Sequence, residues 1–314
     1  MYKVGKSNIS MAQPSKYTRE YLDYIFSILK TLIKKHDLSI NFLIGDANRN
    51  FNTHNQIILI HVNTEHTLVR EGGRGAPKNS PFGIVENDKG ENYLARLKNY
   101  KNEHPSIKLI DADIVIDYSE PNIYNIQSSG HYNALLNKHI YISPCLYKGV
   151  HTSNNNRSIS SLTTFVNIDQ GINKGIARRR KILKDACSNM NHANMTGLYS
   201  HTDVKKLYQN TKVLINLHQT EHHHTFEELR CLPALQNGSL VVAERSPLNH
   251  LIPYNDLIIW ADYKDIVTTA KEVLDNYEKY HAEIFTEKNI NTLNNLHVIN
   301  IKTIECKILK LISN

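Results

Sequence analysis

Apolar positions along the chain fall into two recurring patterns, short unbroken runs and runs spaced by three or four. Ile40 to Ile44, Ile57 to Val62, Ala112 to Asp117 and His139 to Ser143 are unbroken enough to read as strands buried on both faces. From Tyr17 to Lys35, Tyr21, Tyr24, Ile25, Ile28, Leu29, Leu32 and Ile33 recur at helical spacing. Lys34, Lys35 and His36 close that run, where a helix dipole favours positive charge. Glu91 to Glu103 reads as a polar helix, and residues 1 to 15 as a loose tail. Strands alternating with helices predict an α/β fold with parallel sheets covered on both faces.

The stretch Lys148 to Ser161 is polar and has no apolar period, so the expected division is into residues 1–150 and 151–314. The pattern then restarts. Leu162 to Ile168 predicts a strand, Gly171 to Gly175 a turn, and Ile176 to Ala186 a helix whose Arg179, Arg180 and Lys181 suit a solvated basic face. Asp203 can cap a short helix through Tyr208. Lys212 to Glu244 packs a strand, a polar loop, a helix and a second strand into one unit. Thr225 and Glu228 have the spacing of a capping box at the start of that helix, and Pro233 must kink or restart it. A further strand at Leu257 to Trp260 and a helix from Tyr263 to Tyr277 follow. The chain closes on a helical period from Glu287 to Ile312, which is expected to cross back to the first domain.

Charge and composition narrow the setting. No apolar stretch approaches the roughly 20 residues of a membrane helix, and the amino terminus lacks the apolar core of a signal peptide. Cys145, Cys187, Cys231 and Cys306 show no paired spacing, which predicts free thiols and a cytoplasmic protein. The formal charge of +7 favours anionic partners in general. No helix-turn-helix, zinc finger or basic and aromatic alternation is present, so nucleic acid is possible but not favoured.

Candidate chemistry collects in the second half. Asn216, His218 and Thr225 stand at a strand's carboxyl edge and a helix start, where open α/β sheets bind ligands and anions are stabilised. Glu227, Arg230 and Glu244 border the same crevice if the two strands are neighbours, and Gly238 suits a helix terminus or a close approach of ligand to backbone. Lys174, Gly175 and Arg178 sit where a first strand gives way to a helix, a place suited to a diphosphate. His222, His223 and His224 are consecutive and cannot easily turn three nitrogens to one ion, so no metal is expected. The Gly- and Pro-rich stretch from Asn63 to Gly83 predicts a long loop at a strand end.

The segment LINLHQTEHHHTFEELRCLPALQNGSLVVAE resembles the carboxyl-terminal signature of nucleotide-sugar-dependent glycosyltransferases of the GT-B fold, of the family 1 and family 4 kind. Asn216, His218, Glu227, Arg230, Gly238 and Glu244 occupy the matching positions. The resemblance covers Phe165 to Leu274 and implies two Rossmann-like domains with a cleft between them. It also implies a nucleotide sugar on the second half, a glycan or glycoconjugate acceptor on the first, and no cofactor or metal. Lys174 and Gly175 match the turn that contacts the diphosphate. Two positions depart from the family: Pro233 replaces a ribose-binding Glu, and Asn167, Ile168 and Asp169 replace an Arg after the first strand. A general base is then expected from the first domain, with Glu65 and His66 as candidates and His61 and Asp117 behind them. A DNA-modifying glycosyltransferase, a sugar-nucleotide epimerase and a non-catalytic nucleotide-binding module share the same features.

Overall fold

The computed structural model describes residues 1–12, 18–45, 55–64, 68–70, 84–86, 92–95, 112–128, 133–153, 157–164, 174–198, 200–218 and 226–313. The first half contains β1 (Tyr2–Val4), β2 (Ser7–Met11), α1 (Arg19–His36), β3 (Asn41–Ile44) and β4 (Ile57–Asn63). There follow β5 (Leu68–Arg70), β6 (Ile84–Glu86), β7 (Asn92–Ala95), β8 (Ile114–Asp117), α2 (Glu120–Ser128), α3 (Asn133–Leu136) and β9 (His139–Tyr141). Six of these strands form one sheet in the order β1-β2-β3-β4-β8-β9, parallel except for the β1–β2 hairpin. The supposed tail is therefore an edge of the sheet. Its strands are too short and too polar on one face to announce themselves, although Val4, Ser7 and Ile9 are buried. The polar helix expected at Glu91 to Glu103 is likewise corrected at its start, where β7 pairs with β5 and β6 in a separate antiparallel sheet.

The second half contains β10 (Ile159–Thr163), α4 (Lys174–Ala186), β11 (His192–Asn194), α5 (His201–Gln209), β12 (Thr211–Asn216), α6 (Glu228–Gln236), β13 (Leu240–Glu244) and β14 (Ile259–Ala261). Three helices close the chain: α7 (Ile266–Asp275), α8 (Tyr277–Ile284) and α9 (Glu287–Ile312). The five strands are all parallel and run β11-β10-β12-β13-β14. Strand order in the first sheet advances in one direction through its parallel strands. In the second sheet it reverses after β11, so a switch point opens between β10 and β12, and a crevice forms at the carboxyl edge of such a point. Every side chain of β13, and all of β12 except Lys212, is wholly or almost wholly buried, as the unbroken apolar runs require. Fully burying one such aliphatic side chain contributes about 1.5 to 3 kcal/mol. The two Rossmann-like sheets are the arrangement the GT-B resemblance implies.

Three local expectations are revised. The cap of α5 is Ser200, whose hydroxyl accepts the Asp203 amide at 3.3 Å, so Asp203 sits inside the first turn instead of capping it. Of the two outcomes expected at Pro233, a kink or a new start, the new start does not occur, because α6 is continuous through it. Proline there forfeits one amide donor in a short helix whose buried face packs on β12 and β13. Of the expected capping box, Thr225 lies outside the described residues; among those described, Glu227 makes no side-chain cap bond and Glu228 Oε2 accepts from Tyr141 and Tyr254.

Helix α9 returns to the first half, packing on α1 and β9. Its register is fixed by a polar residue within the apolar stripe. The Asn300 carboxamide accepts the Ser143 amide at 3.1 Å and donates to the Ser143 carbonyl at 2.7 Å and to the Tyr24 hydroxyl at 2.9 Å. Asn300→Ala leaves the buried Ser143 amide without an acceptor, while the Ser143 carbonyl keeps the Cys145 amide at 2.8 Å, and is expected to lower unfolding free energy by about 2 kcal/mol, read from the urea midpoint.

Candidate functional site

Two neighbouring residues of α4 border the crevice, one turned to a strand and the other to a helix. Arg179 crosses to the end of β13, where one guanidinium nitrogen donates to Glu244 at 2.5 Å and the ring of Tyr263 lies under it at 4.1 Å. Arg180 points to α6, and burial depresses its pKa to about 10; the charge of Arg230 presses in the same direction and Glu227 opposes it. Both arginines are about 5% exposed, with values of 6% and 5%. The solvated basic face expected for them is thus wrong for Arg179 and Arg180 and right for Lys181, which is exposed. Three cationic residues in succession hide their environment from periodicity, because adjacent helical positions diverge by about 100°.

Glu244 is the internal counter-ion. Burial pushes its carboxyl up, but this is outweighed by the charge and hydrogen bonding of His218, then of Arg179, and the pKa falls to about 2. Its second oxygen accepts the backbone amide of His218 at 3.0 Å, while His218 Nε2 lies 3.1 Å from the Ser246 hydroxyl. His218 is therefore enclosed, at 2% exposure, and braces the end of β13. Asn216 and Ala243 are register partners, which places the ends of β12 and β13 side by side. The Asn216 carbonyl oxygen accepts from Arg230 at 3.4 Å, and its amide nitrogen has no hydrogen-bond partner among the described residues. Glu227 and Arg230 face each other across one turn at 3.8 Å, each about a quarter exposed.

The remaining candidates divide clearly. Lys174 and Gly175 are the first two residues of α4, inside the helix and not before it, and Arg178 follows in its second turn. Gly238 follows α6 with φ of +75°, where a Cβ would come within 2.4 Å of Arg157 Nη2 and 2.5 Å of the His151 carbonyl oxygen. Its amide bonds back to Leu235 and that of Ser239 to Ala234, which closes the helix in the left-handed manner that favours glycine. Thr225, the three consecutive histidines, and Glu65 and His66 lie outside the described residues. Asp117, at the end of β8, is wholly buried and accepts from Asn63 at 2.7 Å and from Asn122 and the Ser119 amide at 3.0 Å. Burial raises its pKa to about 7 against those hydrogen bonds. Enclosed in this way it supports the strand end and does not meet solvent. His61 is depressed to about 4 by burial. Among the described residues no three His, Cys, Asp or Glu side chains converge as a metal site, and no helix is long and apolar enough to cross a membrane.

No family model matches the chain. An uncharacterized protein of Acanthamoeba polyphaga mimivirus, R358, is 28% identical over 195 residues, covering 60% of this chain and 63% of that protein. The chain thus spans a little under two thirds of that relative's length. Among solved structures, a mutant of S. aureus TarM in complex with fondaparinux, a GlcNAc-glycerol and UDP is similar at a TM-score of 0.47 and 13% identity. That similarity covers 91% of this chain and 59% of TarM. A glycosyltransferase from Rickettsia africae is similar at a TM-score of 0.42 and 12% identity, covering 96% and 84%.

The Arg179–Glu244 pair sets two expectations. Glu244→Gln strands a buried guanidinium and is expected to lower stability at neutral pH by about 3 kcal/mol. Because the folded pKa lies below the ordinary 4.5, the carboxylate's contribution is present above pH 4.5 and lost as pH falls towards 2. Acid unfolding across that window should be shallower in the variant, as followed by circular dichroism. Gly238→Ala, forced against Arg157 and the His151 carbonyl, is expected to cost about 2 kcal/mol in the same denaturation measurement.

Proposed function

We propose that the chain is a glycosyltransferase that moves a sugar from a nucleotide-sugar donor to an acceptor hydroxyl of a glycan or glycoconjugate. The donor lies on the second half. The observation that carries the reading is the charge at the switch point: Arg180 is buried beside Arg230, and Glu227 is the carboxylate set against both. Arg180 and Arg230 bring two guanidinium groups to one strand's carboxyl edge, with Glu227 set against them. The start of α4, with Lys174 and Gly175, adds backbone amides and the positive end of a helix dipole.

A diphosphate satisfies that arrangement chemically. Its oxygens accept charge-assisted hydrogen bonds from the arginines and neutralise their repulsion, and the Asn216 amide nitrogen is a further donor at the same edge. When the glycosidic bond breaks, the nucleoside diphosphate leaves with extra negative charge, and fixed cations at that spot stabilise it with no metal required. Ribose recognition falls to Glu227, since Glu244 is engaged by Arg179 and His218. The acceptor and its general base belong to the first half, where Glu65 and His66 stand just past β4.

The test is thermal unfolding of the full-length chain with UDP, GDP and their sugar conjugates. A ligand at about 100 times its dissociation constant adds about 2.7 kcal/mol to stability. Arg230→Gln should weaken that binding about 10- to 100-fold, the worth of one charge-assisted hydrogen bond, while keeping the circular dichroism spectrum. The reading fails if no nucleoside diphosphate shifts the transition, or if Arg230→Gln leaves the shift intact.

A further inference from the structure

Glu228, the first residue of α6, turns into the seam between the halves. Its Oε2 accepts from the Tyr141 hydroxyl at 2.8 Å and from the Tyr254 hydroxyl at 2.8 Å. Tyr141 ends β9 of the first sheet, whereas Tyr254 lies beyond β13 in the second half, so one carboxyl joins residues of both halves. The group is fully enclosed, at 0% exposure. The titratable side chains facing it are Tyr21 of α1, Asp117 of β8, Tyr141 of β9, Cys145 of the joining segment, Cys231 of α6 itself, and Tyr254. All are acids, and Glu228 Oε1 has no hydrogen-bond partner among the described residues.

We propose that protonated Glu228 is the positioning residue of this junction: it pins the amino-terminal end of α6 to the first domain, and loss of its proton releases that end. Glu227 precedes it and Arg230 follows it by two residues, so the pin also sets the groups proposed to meet the diphosphate, a consequence that rests on the nucleotide reading. With its proton on, the carboxyl accepts both tyrosine hydroxyls and carries no charge into the seam. Its ionisation places a second negative charge near Asp117, with both carboxyls fully enclosed. Burial pushes Glu228 up to about 8, against the lowering effect of the Tyr141 and Tyr254 hydrogen bonds, and Asp117 raises it further. The folded value exceeds the ordinary 4.5. The junction's contribution is therefore complete below pH 4.5, declines above it, and is lost as pH rises through 8.

Trp260 reports on this place without any assay of activity. It is the single tryptophan of the chain, and its ring meets Phe226 edge-on at 5.0 Å. Phe226 lies two residues before α6 and 6.5 Å from the ring of Tyr254. The experiment titrates Trp260 fluorescence of the full-length folded chain from pH 4.5 to beyond pH 8, alongside UDP binding. The wild type is expected to show an emission transition near pH 8, and Glu228→Gln, which keeps an acceptor for both tyrosines but cannot ionise, none. UDP affinity should fall about tenfold across the transition in the wild type and stay level in the variant. A featureless wild-type titration, or the same transition in Glu228→Gln, overturns the proposal. Should the Gln variant not fold, Tyr141→Phe decides: it removes a donor to the ionised form, so the transition must move to higher pH, and an unmoved midpoint overturns the pin. If UDP binds neither protein, the nucleotide reading falls and the fluorescence alone decides for or against the pin.

Discussion

One guanidinium gathers the end of the second sheet that lies opposite the crevice. Arg157 donates to the carbonyls of Tyr208 and Thr211 at 2.9 and 2.7 Å, and to those of Ser153 and Asn237 at 3.1 and 2.8 Å. These four carbonyls come from the end of α5, the start of β12, the segment joining the halves and the end of α6. A buried arginine held by neutral acceptors is tolerated only when many of its donors are met, and here one side chain satisfies the carbonyls that several chain reversals would leave bare. Gly238 has no side chain because that guanidinium occupies the space.

With the lower edge closed in this way, the upper edge is left to charge. Arg179 is matched by Glu244, and the match is internal: it orders the ends of α4 and β13 and drives the Glu244 carboxyl down. Glu227 lies against both Arg180 and Arg230. Arg179 therefore serves the fold, while its neighbour Arg180 turns to the start of α6.

What the sequence discloses here follows the range of the interaction concerned. Strands β12 and β13 were legible because burial on both faces leaves an unbroken apolar run, and α1 because its stripe repeats at helical spacing. The Glu228 junction was not: its partner Tyr141 is 87 residues away, and a Glu three places after a Thr has a sufficient local explanation as a cap. Arg157 was passed over for the same reason, lying in a polar stretch that reads as a linker. The β1–β2 hairpin escaped notice because short polar edge strands carry little periodic signal. Asn216, Glu227, Arg230 and Glu244 lie within thirty residues of one another in the sequence, and the parallel pairing of β12 with β13 brings the two strand ends that carry Asn216 and Glu244 side by side.

Strands β4 and β8 are direct neighbours, with Asn63 opposite Asp117, yet β5, β6 and β7 all lie between them in the chain. The small antiparallel sheet is thus an insertion into a single strand-to-strand step. Closing a loop costs free energy that grows only with the logarithm of its length, about 0.6 kcal/mol for each doubling. Length added within that step therefore costs the main sheet little, while the contacts of β5, β6 and β7 with α2 tie the module to the sheet it interrupts.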